Sequence, residues 1–161
     1  MSAGDPSTDG DSGAPRSRLA RRRPSRRTAL LLAAGALPWV LISYESGLSL
    51  VFSFGFVTPR PLHIQSVLEY VTTTRALPGW LLAYPTAAGL YAAAVASRAL
   101  AAAALEDRRV TTGLLALAGL DLLYFAVSFS ERRLGVVAVP VGVALLWFAA
   151  WANRPDDWLR A

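Results

Sequence analysis

Residues 28–57 read TALLLAAGALPWVLISYESGLSLVFSFGFV, a stretch in which Glu45 is the only charged side chain. How this stretch is divided decides the fold. A soluble domain spaces polar residues to cover a surface, so uncharged runs approaching 20 residues point to lipid. Read as a helix, residues 28–44 would be about 25 Å long, near the short limit for crossing a ~30 Å hydrocarbon core. Pro38 removes one backbone donor inside that helix and predicts a bend. Glu45, Ser46 and Gly47 end it. Leu48–Val57 is strongly apolar but too short to cross as a helix, so it falls to a connecting segment spanning residues 45–77.

Toward the C-terminus three more apolar stretches follow, at residues 78–97 (PGWLLAYPTAAGLYAAAVAS), 110–129 (VTTGLLALAGLDLLYFAVSF) and 134–152 (LGVVAVPVGVALLWFAAWA). Only residues 130–133 separate the last two, which predicts an antiparallel neighbouring pair. The expected fold is therefore all-α membrane: four transmembrane helices in a bundle. Pro140 is expected to kink the fourth helix, and Gly135 and Gly142 to permit close packing. Within residues 45–77, Ile64, Val67, Leu68 and Val71 recur at i, i+3, i+4 and i+7, which predicts an amphipathic helix in the outer interface. The whole segment is expected to cap the extracytoplasmic face of the bundle.

Arginine sets the orientation. All 16 basic residues are arginine. With the N-terminus inside, cytoplasmic segments hold Arg16, Arg18, Arg21, Arg22, Arg23, Arg26, Arg27, Arg98, Arg108, Arg109, Arg154 and Arg160. Only Arg60, Arg75, Arg132 and Arg133 fall outside, and cytoplasmic loops carry such an excess of positive charge. Both termini are expected in the cytoplasm, with the protein multi-pass in the cell membrane. Tyr44, Trp80 and Tyr84 fall near the outer interface and Trp151 and Trp158 near the inner one, as amphipathic rings prefer; Trp39 lies too deep and reads as packing.

Residues 1–15 are small, polar and weakly acidic, and with the arginines that follow they form a cytoplasmic tail, 1–27, whose first part reads as disordered. Residues 153–161 form a second tail. Arg21, Arg22, Arg23, Arg26 and Arg27 are expected to set orientation and bind anionic headgroups. A twin-arginine export signal over Ser25–Arg27 is the alternative, opposed by apolar sequence that runs on to Tyr44. The net charge of +5 is concentrated beside a membrane stretch, so nucleic acid is not the expected partner. With no cysteine and a single histidine, His63, disulfides, thiolate nucleophiles and histidine metal sites are not expected. A convergence of Glu45, Arg60, His63, Glu69 and Arg75 reads as solvated loop. No metal or cofactor is expected.

The segments LPWVLISYESGLSLVFSFGFVTP (37–59) and LPGWLLAYPTAAGLYAAAVASRAL (77–100), with the lysine-free composition, resemble uncharacterised small four-helix integral membrane proteins of halophilic archaea. The resemblance implies a membrane protein and carries no activity or site residue.

Asp121 is the one ionisable residue near the middle of a span. A central carboxylate costs about 3 kcal/mol on insertion scales, against a return of at most about 5 kcal/mol from that span's Leu, Val and Phe residues. It should face protein, and it marks a candidate intramembrane polar site. Tyr91, expected at similar depth, is its candidate donor, and Tyr124 and Ser128 share its helix face. The plainest role is an interhelical hydrogen bond; ion or proton handling is the sharper one. Gly89, Ala93 and Ser97, with Ala88, Ala92 and Ala96, form small-residue ladders at spacing four that let helices approach closely. Together these features predict a non-enzymatic accessory or structural membrane subunit, as a homo-oligomer or in a larger membrane complex. The alternative is a small oligomeric ion- or proton-coupled transporter or channel using Asp121. An intramembrane enzyme is poorly equipped by one carboxylate without a nucleophile pair.

Overall fold

The computed structural model describes residues 25–45, 47–73, 78–100, 107–132 and 135–155. Arg21, Arg22, Arg23 and Arg75, both tail ends and Trp158 lie outside them.

The expected all-α bundle of four spanning helices is overturned. The described residues form a mixed α/β fold of five helices and one five-stranded antiparallel sheet. Among the described residues only two helices are long and apolar enough to cross a membrane.

The first departure is at Pro38. Helix α1 (Arg26–Ala36) starts at Ser25, whose hydroxyl accepts from the Thr28 amide at 3.3 Å. It stops because a residue preceding proline is pushed out of the helical region; Leu37 is extended, at φ −85° and ψ 151°. Instead of bending, the chain becomes strand β1 (Val40–Tyr44), followed by β2 (Gly47–Phe52), β3 (Gly55–Pro59) and β4 (Leu62–Ser66). These segments are rich in Val, Ile, Phe and Tyr, side chains that fit a pleated surface, and each is too short to gain by closing its bonds locally. Antiparallel pairing joins β1, β2 and β3 into a meander, with Val40 opposite Val51 and, across the Ser53–Phe54 turn, Val51 opposite Phe56. The predicted interfacial helix shrinks accordingly. Ile64 is in β4, and α2 spans only Val67–Thr73.

The fourth expected span breaks for a related reason. Val137–Val139 is strand β5, which pairs with β1 (Leu41 opposite Val139, Ser43 opposite Val137), giving the order β4-β3-β2-β1-β5. Pro140 caps the next helix, α5 (Val141–Asn153), rather than kinking it. At 1.5 Å per residue α1 is about 16 Å long and α5 about 20 Å, short of a span.

Between them in sequence run the two long helices, α3 (Gly79–Ala99, 21 residues) and α4 (Arg108–Arg132, 25 residues), which pair antiparallel. Ser97 and Thr111 hydroxyls meet at 3.0 Å at one end; at the other, Trp80 meets Phe129 edge-on at 5.9 Å. The α4 stripe Leu115, Ala118, Leu122, Phe125 and Phe129 is buried, at helical spacing. The core continues through Tyr84 and Trp39 into Ile42 and Val51 of the sheet. Gly142 of α5 lies directly on the Trp39 backbone, where an added Cβ would sit 2.7 Å from the Trp39 Cα.

Candidate functional site

Polar side chains concentrate in three regions: the end of α1, the flank of α4 at Asp121, and the arginine end.

At the end of α1, the last carbonyls have no intrahelical donor. The Trp39 indole donates to Ala34 O at 2.7 Å, the Ser53 hydroxyl to Gly35 O at 2.9 Å, and the Leu37 amide to Ala33 O at 3.1 Å. From α3, the Tyr91 hydroxyl donates to Leu31 O at 2.8 Å, and its ring meets Trp39 edge-on at 5.4 Å. Tyr84 donates to Phe52 O at 2.9 Å and packs among Phe56, Tyr70 and Phe125. Each of these side chains satisfies backbone where helix turns into sheet. Trp39 is fully buried, as packing requires.

Asp121 sits half-buried on α4, one step round from the buried stripe and between the outward Leu117 and Tyr124, which are 52% and 54% exposed. Among the described residues it has no hydrogen-bond or ion-pair partner. Tyr91 has a single O–H, already donated to Leu31 O, so the two residues are not joined. Ser128 is buried on the same flank, while Tyr124 points outward. Of the small-residue ladders only Ala88 is buried; Gly89, Ala92, Ala93 and Ala96 are exposed, and Gly89 has open space beside it. Glu45, Arg60, His63 and Glu69 form no metal-binding group among the described residues.

The family model described as a domain of unknown function (DUF8050) matches residues 9–158, nearly the whole chain. The chain belongs to the DUF8050 family. No curated protein and no solved structure matches it.

In this DUF8050 chain the arginines gather at one end. The Arg98 guanidinium donates to Ser25 Oγ at 3.2 Å, which brings the end of α3 to the start of α1. Arg108 and Arg109 open α4 beside it, where the Asp107 carboxylate accepts from the Arg109 amide at 2.8 Å. Arg26 and Arg27 share a cavity with Arg154 from the end of α5. Arg60 and Arg132 lie at the opposite end, with Arg132 5.9 Å over the Trp80 ring. Sequence reasoning assigned Arg26 and Arg27 to headgroups but gave Arg154 no site, because the β1–β5 pairing that brings α5 back beside α1 has no local signature. Ser53 and Tyr84 were missed as carbonyl caps for the same reason: their acceptors lie far away in sequence.

Proposed function

We propose that this DUF8050 protein is an integral membrane protein acting as a non-enzymatic accessory or structural subunit. It is held by α3 and α4 and associates through the Asp121 flank of α4 with a second copy or a larger membrane protein. The observation that carries this reading is Asp121 itself, partly buried and unpartnered among the described residues, midway along a helix whose outward neighbours Leu117, Leu120, Tyr124 and Val127 are large and exposed. A carboxylate at mid-span belongs against protein rather than lipid, and this chain alone leaves it partly exposed.

Several features support the membrane setting. The core helix of a soluble protein is mostly buried, whereas only 33% of the most apolar 18 residues of α3 and 44% of those of α4 are. The two helices are about 31 and 37 Å long, enough to cross. The gathered arginines of one end give the charge asymmetry of a cytoplasmic face. The resemblance to small membrane proteins of halophilic archaea points the same way. Strand backbone at membrane depth is tolerable only inside protein, and β1 is paired on both edges, by β2 and β5. A structural role, rather than chemistry, is favoured because the buried Trp39, Tyr84 and Tyr91 donors are all spent on backbone carbonyls.

The absence of native cysteine makes the test direct. In cell membranes the protein should stay in the pellet after alkaline carbonate extraction. Ser25→Cys and Arg109→Cys should label only from the cytoplasmic side and Gly47→Cys only from outside. In-membrane cross-linking should capture species beyond the monomer, and Asp121→Leu should change their yield. Release by carbonate would overturn the membrane setting; lone monomers with every cross-linker would overturn the subunit role.

The same carboxylate favours a second reading, in which Asp121 is the proton or cation site of a small oligomeric transporter. Asp121→Asn should then abolish pH-dependent ion flux in proteoliposomes, and unchanged flux would dispose of it.

A further inference from the structure

We infer that the cavity between the start of α1 and the end of α5 is a binding site for an anionic phospholipid. Its phosphate would be held by Arg26, Arg27 and Arg154, and its apolar part would lie against Leu30, Phe148 and Trp151. The inference rests on the membrane reading above and adds a ligand to it. The cavity is about 370 Å³, and these six side chains supply most of its lining, with no carboxylate among the described lining residues. A volume lined by three arginines has a positive potential that favours an anion. Phosphate suits them because a guanidinium offers it paired, directional donors.

The walls select what the anion is attached to. Phe148 and Trp151 stack at 6.0 Å, 48% and 57% exposed, and Arg154 lies 4.6 Å over the Trp151 ring. That contact fixes one guanidinium at the junction of the apolar wall and the charged mouth. A free inorganic anion would gain nothing from Leu30, Phe148 or Trp151, whereas a lipid uses both halves. The cavity lies at the arginine end, which the membrane reading places at the depth of a cytoplasmic-leaflet headgroup. The site joins residues 127 positions apart (Arg27 and Arg154), brought together by the pairing of β1 with β5.

The test uses the full chain purified in mild detergent and native mass spectrometry, with phosphatidylglycerol, phosphatidylcholine, glycerol phosphate and inorganic phosphate added separately. Phosphatidylglycerol should be retained at least about five-fold better than phosphatidylcholine, whose ammonium group opposes the arginines. Arg26→Gln, Arg27→Gln and Arg154→Gln should each weaken phosphatidylglycerol about five-fold, and Arg60→Gln at the far end should not. Trp151→Ala should weaken phosphatidylglycerol while leaving glycerol phosphate unchanged. Equal retention of the two lipids, or unaltered binding by the arginine variants, would overturn the inference. So would displacement of phosphatidylglycerol by inorganic phosphate at equal concentration, which would make the cavity a plain anion site. Carbonate extraction of the same variants separates the two claims: a protein that stays in the membrane but ignores lipid charge loses the site alone, and one that is extracted loses the membrane setting.

Discussion

The α3–α4 hairpin and the sheet are made of comparably apolar sequence, yet they close their backbones in opposite ways. In the hairpin amides find carbonyls four residues back along Ala- and Leu-rich runs of 21 and 25 residues, and the one proline inside them, Pro85 in the second turn of α3, removes a single donor without ending the helix. Between Leu37 and Ser66 the runs are cut to five or six residues by Pro38, Gly47, Gly55 and Pro61, and they are rich in Val, Ile, Phe and Tyr. A helix that short is marginal, so the bonds close sideways. Hydropathy reports which residues avoid water. It does not report which way their peptides pair.

The most complete test of that contrast is all-or-none. In the β1–β5 ladder Ser43 lies opposite Val137, and direct cross-strand neighbours have Cβ atoms about 4.5–5.5 Å apart. The double variant Ser43→Cys with Val137→Cys should cross-link under mild oxidation. Ile42→Cys with Val137→Cys, which project to opposite faces, should not. Equal yields from both pairs would mean that no such register exists and that the sheet assignment is wrong. Next in size is Trp39→Ala, at the point where the two regions meet. It removes a fully buried ring, the cap on Ala34 O and the contact with Tyr91, and should cost about 3–5 kcal/mol in reversible unfolding in detergent.

How much could be read from the sequence follows the same division. The expected helices at 78–97 and 110–129 match α3 and α4 to within three residues at each end, because long uncharged runs with helix-forming residues leave no competing structure. Residues 37–44 and 137–139 read as helix because each adjoins an apolar helix and hydropathy does not change at the boundary. The prolines were the available signal. Pro38 and Pro140 each mark the border between helix and strand, where the sequence suggested kinks within helices. Asp121 was singled out from its position in a span, but its lack of a partner depends on Tyr91 being committed to Leu31 O, 60 positions away in sequence. The lipid cavity depends on a β1–β5 contact that no window of sequence contains.

Glycines divide the two regions as sharply. An alanine Cβ at Gly55 would collide with the Gln65 backbone carbonyl across the β3–β4 ladder, and at Gly142 it would press on the Trp39 backbone. Backbone cannot swing aside as a side chain can, so Gly55→Ala and Gly142→Ala should each cost about 1–3 kcal/mol in the same unfolding measurement. Tyr91→Phe keeps the ring against Trp39 and deletes only the bond to Leu31 O, which should cost about 1 kcal/mol. A cost near zero for Gly55→Ala would mean that β3 and β4 do not pair as described, and for Gly142→Ala that α5 does not lie on the Trp39 backbone.

Gly113, on the outward face of α4, is the counterpart with the smallest expected effect. Nothing lies within 4 Å of an added Cβ there. Gly113→Ala should leave the monomer as stable or raise its stability by about 0.5–1 kcal/mol, since alanine restricts the unfolded chain and favours helix. Gly113, Leu117 and Tyr124 share the face beside Asp121, so a partner seated there would meet the new methyl group. Unfolding and cross-linking should then part company, with the single chain holding or gaining stability and captured dimer falling. If both measurements rose together, the open face of α4 would be lipid-facing surface rather than a contact, and a partner covering Asp121 would have to approach from the α3 side of the helix.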